Sequence, residues 1–366
     1  MAVLNQYYPQ SIPHPGETLA EKLQEFGMGP KEFAIRTGKP EKTITAVLGG
    51  TSAVTPEMAL LFENVLRIPA RFWLQNQGDY DEYIERTKRI AVIRESTEWA
   101  RCFPYAEMAK LGWVPTTRDA DEKTAELLIF FGLSNKSSWE NYYLEQKLRS
   151  NFRLSLKHTS EPYAVSSWLR QGEISASELK TAKFDARKFK TNLKLIKDIM
   201  ANQPVDFFLK LQALCAEAGV SVVYTPCLPK APINGSSRWI NDTPLIQLSA
   251  RYKQNDIFWF TFFHEAGHIL LHGKKYISLE GSDYSEVEQD KEQEADDFSI
   301  NRTFSKEQEN ELLANMPLSE DEIIAYAKKF NTHPAMIIGR FHHNGLLPYH
   351  VGRSFIIPIN LTGNER

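Results

Sequence analysis

The stretch FTFFHEAGHILLHG, residues 260–273, decides how the C-terminal half of this chain is read. His264 and His268 flank Glu265 within an otherwise apolar run that begins at Ile257. Asn255 and Asp256 are N-cap candidates and Gly273 is a natural stop, so the run predicts one helix. Positions four apart on a helix share a face and lie about 6 Å apart along the axis. Both imidazoles can then bind one Zn²⁺ at roughly 2.0–2.1 Å. Glu265 is rotated about 100° from His264, so it can lean over an open coordination position without filling it. A general base belongs there. The plainer alternative is a pair of hydrogen-bonded core histidines. The apolar surroundings weigh against it, because two buried histidines and a glutamate need partners and one metal satisfies all three.

A catalytic zinc takes a third protein ligand. His272 continues the spacing, but it stands about 12 Å along the axis from His264, too far for both to reach one ion. A second helix around EQEADDF, residues 292–298, is the better source. Glu286, Glu288, Glu292 and Glu294 are its candidates. Ala295 lets that helix come close, and Phe298, one turn on, anchors it.

The bulk numbers bound the rest. A chain of 366 residues implies two or three domains. Its net charge of −3 excludes a broadly basic, nucleic-acid-coating surface and leaves room for a local DNA footprint. The opening MAVLNQYYPQ lacks a signal-peptide pattern. The longest apolar stretches fall far short of the ~20 residues that span a bilayer. Cys102, Cys215 and Cys227 are few, odd in number and widely spaced, which suggests a reducing compartment and supplies no cysteine zinc site. A soluble cytoplasmic protein with no membrane partner is expected.

Residues 14–77 read as short helices. ETLAEKLQEF places Leu19, Leu23 and Phe26 on one face, and PKEFAIRTG, EKTITAVLGG, TPEMALLFENVL and ARFWLQNQ follow. Thr55 is a good N-cap with Pro56 behind it. Residues 79–101 read as one longer helix with a stripe of Tyr80, Tyr83, Ile84, Thr87, Ile90 and Ala91. Core packing within the chain is the favoured role of that stripe, ahead of a partner helix. Residues 120–215 are helix-rich and carry no chemistry that can be named. SVVYTP and PLIQLSA are β-rich, separated by the turn-rich PKAPINGSSRWINDT. PLIQLSA could be a plain sheet strand or could pair with an extended substrate. SEDEIIAYAKKFN and HPAMIIGRFHHNG form a closing helix pair, and the tail after Pro348 reads as irregular. The expected class is mainly α with a small β-sheet (α+β).

The stretch from about 233 to 300, with HEAGH and then EQEADDF, resembles the ImmA/IrrE family of bacterial zinc metallopeptidases. That resemblance implies a zincin-like domain, Zn²⁺ as cofactor, His264, His268 and Glu294 as ligands, and Glu265 as base. Among the candidate ligands it favours Glu294, from an E-A-(D/N)-x-F pattern; Phe298-Ser299 stands where the family usually has Phe-Ala. The segment from His14 to Gln77 is similar to the Cro/C1-type (XRE) helix-turn-helix of HigA-like antitoxins. In such a module the second helix of the pair, here about 41–48, enters the major groove. Lys42, Thr43 and Thr45 would face bases, with Ile44, Val47 and Leu48 turned inward. Arg36 and Lys39 would touch phosphates. Gly29, Pro30 and Pro40 replace polar residues usual in the module, which removes side chains that often contact DNA.

The implied organisation is a helix-turn-helix bundle at 1–78, a helical linker or dimerisation region at 79–200, a metallopeptidase domain at 201–347 and a tail at 348–366. The implied function is a homodimeric regulator that binds double-stranded operator DNA and hydrolyses a peptide bond in a repressor or partner protein. Arg340 and His343, with His333 and His342 behind them, are candidates to steady a developing oxyanion. The alternative is a non-enzymatic repressor or antitoxin that uses the peptidase fold as a sensor or as a body that binds a cognate toxin.

Overall fold

The computed structural model describes residues 11–144, 161–229, 231, 233–275 and 286–361. It is mainly helical with one three-stranded sheet, as the sequence predicts. By contacts the chain forms two compact units, Met1–Glu95 and Ser96–Arg366.

The first unit is all helix: α1 (Pro15–Glu25), α2 (Pro30–Thr37), α3 (Glu41–Leu48), α4 (Pro56–Leu66) and α5 (Ala70–Glu95). Local chemistry sets these limits. The Thr55 hydroxyl accepts the Met58 N–H at 3.3 Å, and Gly38 ends α2 at φ 66°. Leu19, Phe33, Ile44, Val47, Phe62 and Trp73 are buried in one core. ARFWLQNQ and the expected longer helix join into the single α5, since Gly78 alone does not break a helix. Only Ala70, Trp73 and Gln77 of α5 are buried. The stripe from Tyr80 to Ala91 is half-buried or exposed, so the core role expected for it is not what the structure shows.

The second unit holds two larger cores. The first gathers α6 (Thr97–Ala100), α7 (Tyr105–Lys110), α8 (Ala120–Phe131), α9 (Lys136–Trp139) and α10 (Pro162–Ser177) around Trp99, Trp139 and Trp168. The other is built on α11 (Ala186–Asn202), α12 (Phe207–Glu217) and the sheet. It continues through α13 (Asn255–Leu271), α14 (Glu286–Thr303), α15 (Lys306–Leu313), α16 (Glu320–Phe330) and α17 (Pro334–His343). Helices α11 and α12, on either side of residue 201, share this core. Trp259, Phe262 and Phe263 of α13 are fully buried in it, each contributing about 1.5–3 kcal/mol by leaving water.

The strands are β1 (Ser221–Tyr224), β2 (Gly235–Ile240) and β3 (Thr243–Leu248), in the order β1-β3-β2. β1 runs parallel to β3, with Val222 opposite Ile246, and β2 is antiparallel, with Ser237 opposite Ile246. β3 contains most of PLIQLSA and is paired on both sides, so it cannot accept an extended substrate. β2 lies inside the segment that reads as turns. GSSRWI lacks clean alternation, and the strand is revealed by its hairpin, whose turn residue Asn241 takes φ 56°.

The sheet is tied to α10 by buried polar groups. Gln247 donates to the Trp168 carbonyl at 2.7 Å and to Thr225 Oγ1 at 2.9 Å, and it accepts from Arg238 at 2.9 Å. Arg238 is almost wholly buried, also donates to the Leu169 carbonyl at 2.7 Å, and lies 3.8 Å from Glu173. The tail is not loose. Ile359 is buried, its N–H donates to the Lys253 carbonyl, and Ile357 donates to Asn255 Oδ1 at 3.1 Å. Asn255 therefore serves as the first residue of α13 and a clamp for the tail, with Gln254 at the N-cap position.

A Cβ at Gly172 on α10 would lie 2.0 Å from Gln247 Oε1. Gly→Ala inside an ordinary helix gains up to about 1 kcal/mol. Here, with Gln247 held by three hydrogen bonds, Gly172→Ala should instead lose about 1–3 kcal/mol through overpacking. Urea unfolding of the C-terminal unit reads the sign; a gain would refute the packing described.

Candidate metal centre

α13 and α14 pack side by side, and their facing surfaces make the site. Small residues allow this. Gly267 stands where a Cβ would come within 3.2 Å of Phe298, and Ala295 is fully buried. Ser299 of α14 donates to the Phe260 carbonyl of α13 at 2.8 Å.

His264 and His268 are both buried and their Nε2 atoms are 2.9 Å apart. The Glu292 carboxylate reaches over from α14, 3.2 Å from His264 Nε2 and 3.4 Å from His268 Nε2. Two tetrahedral ligand atoms at roughly 2.0–2.1 Å from one zinc lie about 3.3 Å from each other. The three observed separations are close to that value.

Outer partners aim these rings. His264 Nδ1 donates to Asp296 Oδ1 at 2.8 Å. His268 Nδ1 lies 2.9 Å from His272 Nδ1, and His272 Nε2 lies 3.0 Å from Glu294 Oε2. A carboxylate can only accept here, so it assigns the His272 proton to Nε2 and leaves His272 Nδ1 to accept from His268. With these tautomers both inner Nε2 atoms present lone pairs to each other and to Glu292. Three electron-rich donors facing one point require a cation, and two imidazoles with a carboxylate suit zinc. Without a metal, a proton takes that place. Burial pulls the His264 imidazolium down, but Asp296 and Glu292 more than offset it and hold it at about 10. Burial and the neighbouring His264 charge hold His268 at about 4.

The structure therefore brings together His264 and His268 with Glu292, and it does not bring Glu294 to them. Two helix positions differ by about 200°, so when Glu292 points inward Glu294 points away; its side chain is 63% exposed and holds His272. The position beside the two histidines expected for Glu294 is occupied by Glu292, one of the alternatives left open by the sequence. The side chains of Glu286 and Glu288 lie outside the described residues. Asp296 and His272, which orient the two inner imidazoles, carry no such expectation in the sequence; the i+4 step from His268 to His272 was the available signal.

Glu265 is fully buried beside the triangle without belonging to it. A Cβ at Gly235, the first residue of β2, would stand 2.9 Å from Glu265 Oε1, so only glycine lets the strand pass this carboxylate. Among the oxyanion candidates, His333 caps α17 by accepting the Ala335 N–H at 3.1 Å, and His342 donates to the Val351 carbonyl at 2.9 Å. Both are committed to the fold. Arg340 and His343 line a cavity that also includes Asp296.

In the first unit, Lys42 and Thr45 are exposed on α3, Thr43 is half-buried, Ile44 and Val47 are buried, and Leu48 packs partly buried against them. Arg36 pairs with Glu32 at 2.5 Å and Lys39 with Glu57 at 2.8 Å.

Comparison with known proteins bears on both units. A family described as the IrrE N-terminal-like domain, of the peptidase M78 group, matches residues 215–338. An uncharacterized HTH-type transcriptional regulator of Escherichia coli, YddM, is 32% identical over 82 residues, 22% of this chain and 86% of that protein. The chain belongs to the helix-turn-helix transcriptional regulators, and its C-terminal unit carries an IrrE N-terminal-like domain. Two solved structures are also similar. An addiction module antidote protein of the HigA family from Coxiella burnetii is 30% identical, covering 24% of this chain and 95% of its own, with TM-score 0.23. The Pseudomonas aeruginosa antitoxin HigA with higBA promoter is 26% identical, covering 22% and 91%, with TM-score 0.21. Among the described residues no helix is long and apolar enough to cross a membrane.

Metal analysis of purified variants separates the two glutamates. Glu292→Ala should lose zinc, whereas Glu294→Ala, which frees only His272, should keep it with affinity reduced about 10–100-fold, the usual effect of an outer-shell loss. Full zinc occupancy in Glu292→Ala would remove that ligand from the site.

Proposed function

We propose that this helix-turn-helix regulator binds operator DNA through α3 and hydrolyses a peptide bond in a protein partner through a zinc centre in its second unit. The observation that carries the hydrolytic reading is the convergence of His264 Nε2, His268 Nε2 and the Glu292 carboxylate, with the Glu265 carboxylate held beside them. A zinc ion held by these three residues would act as a Lewis acid, activating water and polarising the scissile carbonyl. Glu265 takes a proton from the attacking water at its carboxylate and delivers it to the leaving nitrogen as the C–N bond breaks. Asp296 and His272 fix the ring tautomers throughout, so no reorientation accompanies the step. An extended substrate would add to the sheet at an edge strand rather than at β3, and β2 is the edge whose Gly235 lies beside Glu265.

Arg340 and His343 are the remaining donors for a developing oxyanion, and Arg340 feels Asp296 directly. In DNA recognition Lys42 and Thr45, with Thr43 beneath them, read base edges, while Arg36 and Lys39 exchange their glutamate partners for phosphates. That exchange lowers the affinity the two cations supply. A homodimer on a palindromic operator is the arrangement such modules favour, and the cytoplasm is where this reading puts the chain.

Glu265→Gln should retain zinc and lose about 10²–10⁴-fold in cleavage, the usual worth of a general base. Mass spectrometry of a peptide library incubated with each protein, beside metal analysis, gives both readouts. Equal cleavage by the variant would sink the assigned base. No cleavage by the zinc-loaded wild type would leave the repressor or antitoxin reading.

On DNA, Lys42→Ala should weaken the operator chosen by in vitro selection, and Arg36→Ala should reduce the slope of log K against log salt by about 1. Binding that ignores salt and both substitutions would exclude α3 as the reading helix.

A further inference from the structure

Between α13, α14 and α17 lies a cavity of about 380 Å³; Asp296, Arg340 and His343 line one part of it, and the Asp256 end has no part in the chemistry above. That volume suits a small ligand. Ile257, Phe260, Ile300 and Met336 make its apolar walls, and the Asp256 carboxylate stands among them. Asp256, in the first turn of α13, also lines a neighbouring cavity of about 490 Å³.

Asp256 has no cationic side chain paired with it among the described residues. Its Oδ1 is enclosed without a hydrogen-bond partner, and the backbone N–H groups of Asp256 and Ile257, at the start of α13, stabilise its charge. The counter-charge it senses is His342, whose Nε2 is committed to the Val351 carbonyl. Burial pushes the carboxyl up from its ordinary range. On the other side, a Cβ at Gly339 would lie 2.4 Å from Asp256 Oδ2, so the carboxylate rests on bare backbone of α17. Arg340, a cation of the cavity wall, is already faced by Glu309 at 4.0 Å and by Asp296 and Asp297. The charge of Arg340 is thus matched by acids other than Asp256. A half-buried carboxylate with one enclosed, unsatisfied oxygen gains from a cation that pairs with it.

We propose that this cavity binds an organic cation on an apolar stem, an alkylammonium or alkylguanidinium group, whose charge pairs with Asp256 while its stem lies along Ile257, Phe260 and Met336. A chain of about four methylenes ending in a charge has this form. Two sources share that chemistry: a free amine acting as an effector, or the basic side chain of a peptide at the neighbouring metal centre. The cavity meets that centre at Asp296, which lines the one and orients His264 in the other. None of the metal-ligating atoms belongs to the cavity, so the inference stands or falls apart from the zinc reading.

Isothermal titration of the whole 366-residue chain at fixed ionic strength tests it. The probes are n-butylammonium, neutral n-butanol, and an acetylated, amidated tetrapeptide with one lysine. Butylammonium should bind the wild type and should bind at least tenfold more weakly to Asp256→Asn, which keeps the shape and removes the charge. Gly339→Ala, which crowds the carboxylate, should weaken it as well. Zinc content and the melting transition of Asp256→Asn should match the wild type. Charge-dependent binding of the tetrapeptide identifies a peptide side chain as the source; binding of the free amine alone identifies an effector. Butanol binding as tightly as butylammonium, Asp256→Asn binding the amine like the wild type, or neither cation binding overturns the proposal.

Discussion

The side-chain cluster of the second unit depends on the contact of α13 with α14. Two rings on one turn of a helix can converge on a point, but they cannot enclose it. A third donor must come from elsewhere, and its carboxylate must arrive within about an ångström. The interface meets that demand with small residues. Gly267 and Ala295 remove bulk where the helices touch, and Ser299 fixes their relative height through the Phe260 carbonyl. The apolar remainder of α13 then anchors the pair in the core, with Trp259, Phe262 and Phe263 on its buried side.

Burial gives the site its chemistry as well as its position. Imidazoles in a low-dielectric setting are costly to leave unpaired, and the outer nitrogen of each inner ring has a partner. Asp296 takes the outer nitrogen of His264, and His272 with Glu294 does the same for His268. These outer contacts leave the inner lone pairs free to face inward. Glu265, on the same helix but another face, sits against Gly235 of β2, so the sheet edge and this carboxylate are neighbours. The first unit shows a looser version of the same economy. Arg36 and Lys39 are paired with glutamates, while Lys42 is exposed on α3.

Much of the outline was legible in the sequence, for physical reasons that differ by element. Caps and prolines set the first-unit helices: Thr55 before α4 and Pro30 in α2 act within a few residues, so no tertiary knowledge is needed. The HEAGH helix was equally plain, because a buried helix must be apolar almost throughout and this one is. Less was readable where the determinant is remote. β2 has weak strand character of its own and exists because β3 and α13 cover it. The tail reads as irregular, yet Asn255 holds it across about a hundred residues of sequence. The Tyr80–Ala91 stripe has the right period for burial, but periodicity states only that one face differs from the other.

The sequence by itself determined the helical class, the small sheet, the module at the front and the pair of histidines that share a face. These follow from local propensity and spacing, which act along the chain. Only the tertiary structure decided which glutamate completes the cluster. Glu292 and Glu294 are chemically identical, two positions apart and equally acidic in context, and the choice depends on how α14 is rotated about its own axis. That rotation is set by Ala295 and Phe298 packing against α13 rather than by the glutamates themselves. The same holds for Asp256, an N-cap candidate by sequence whose carboxylate is enclosed because a helix eighty residues later brings Gly339 against it.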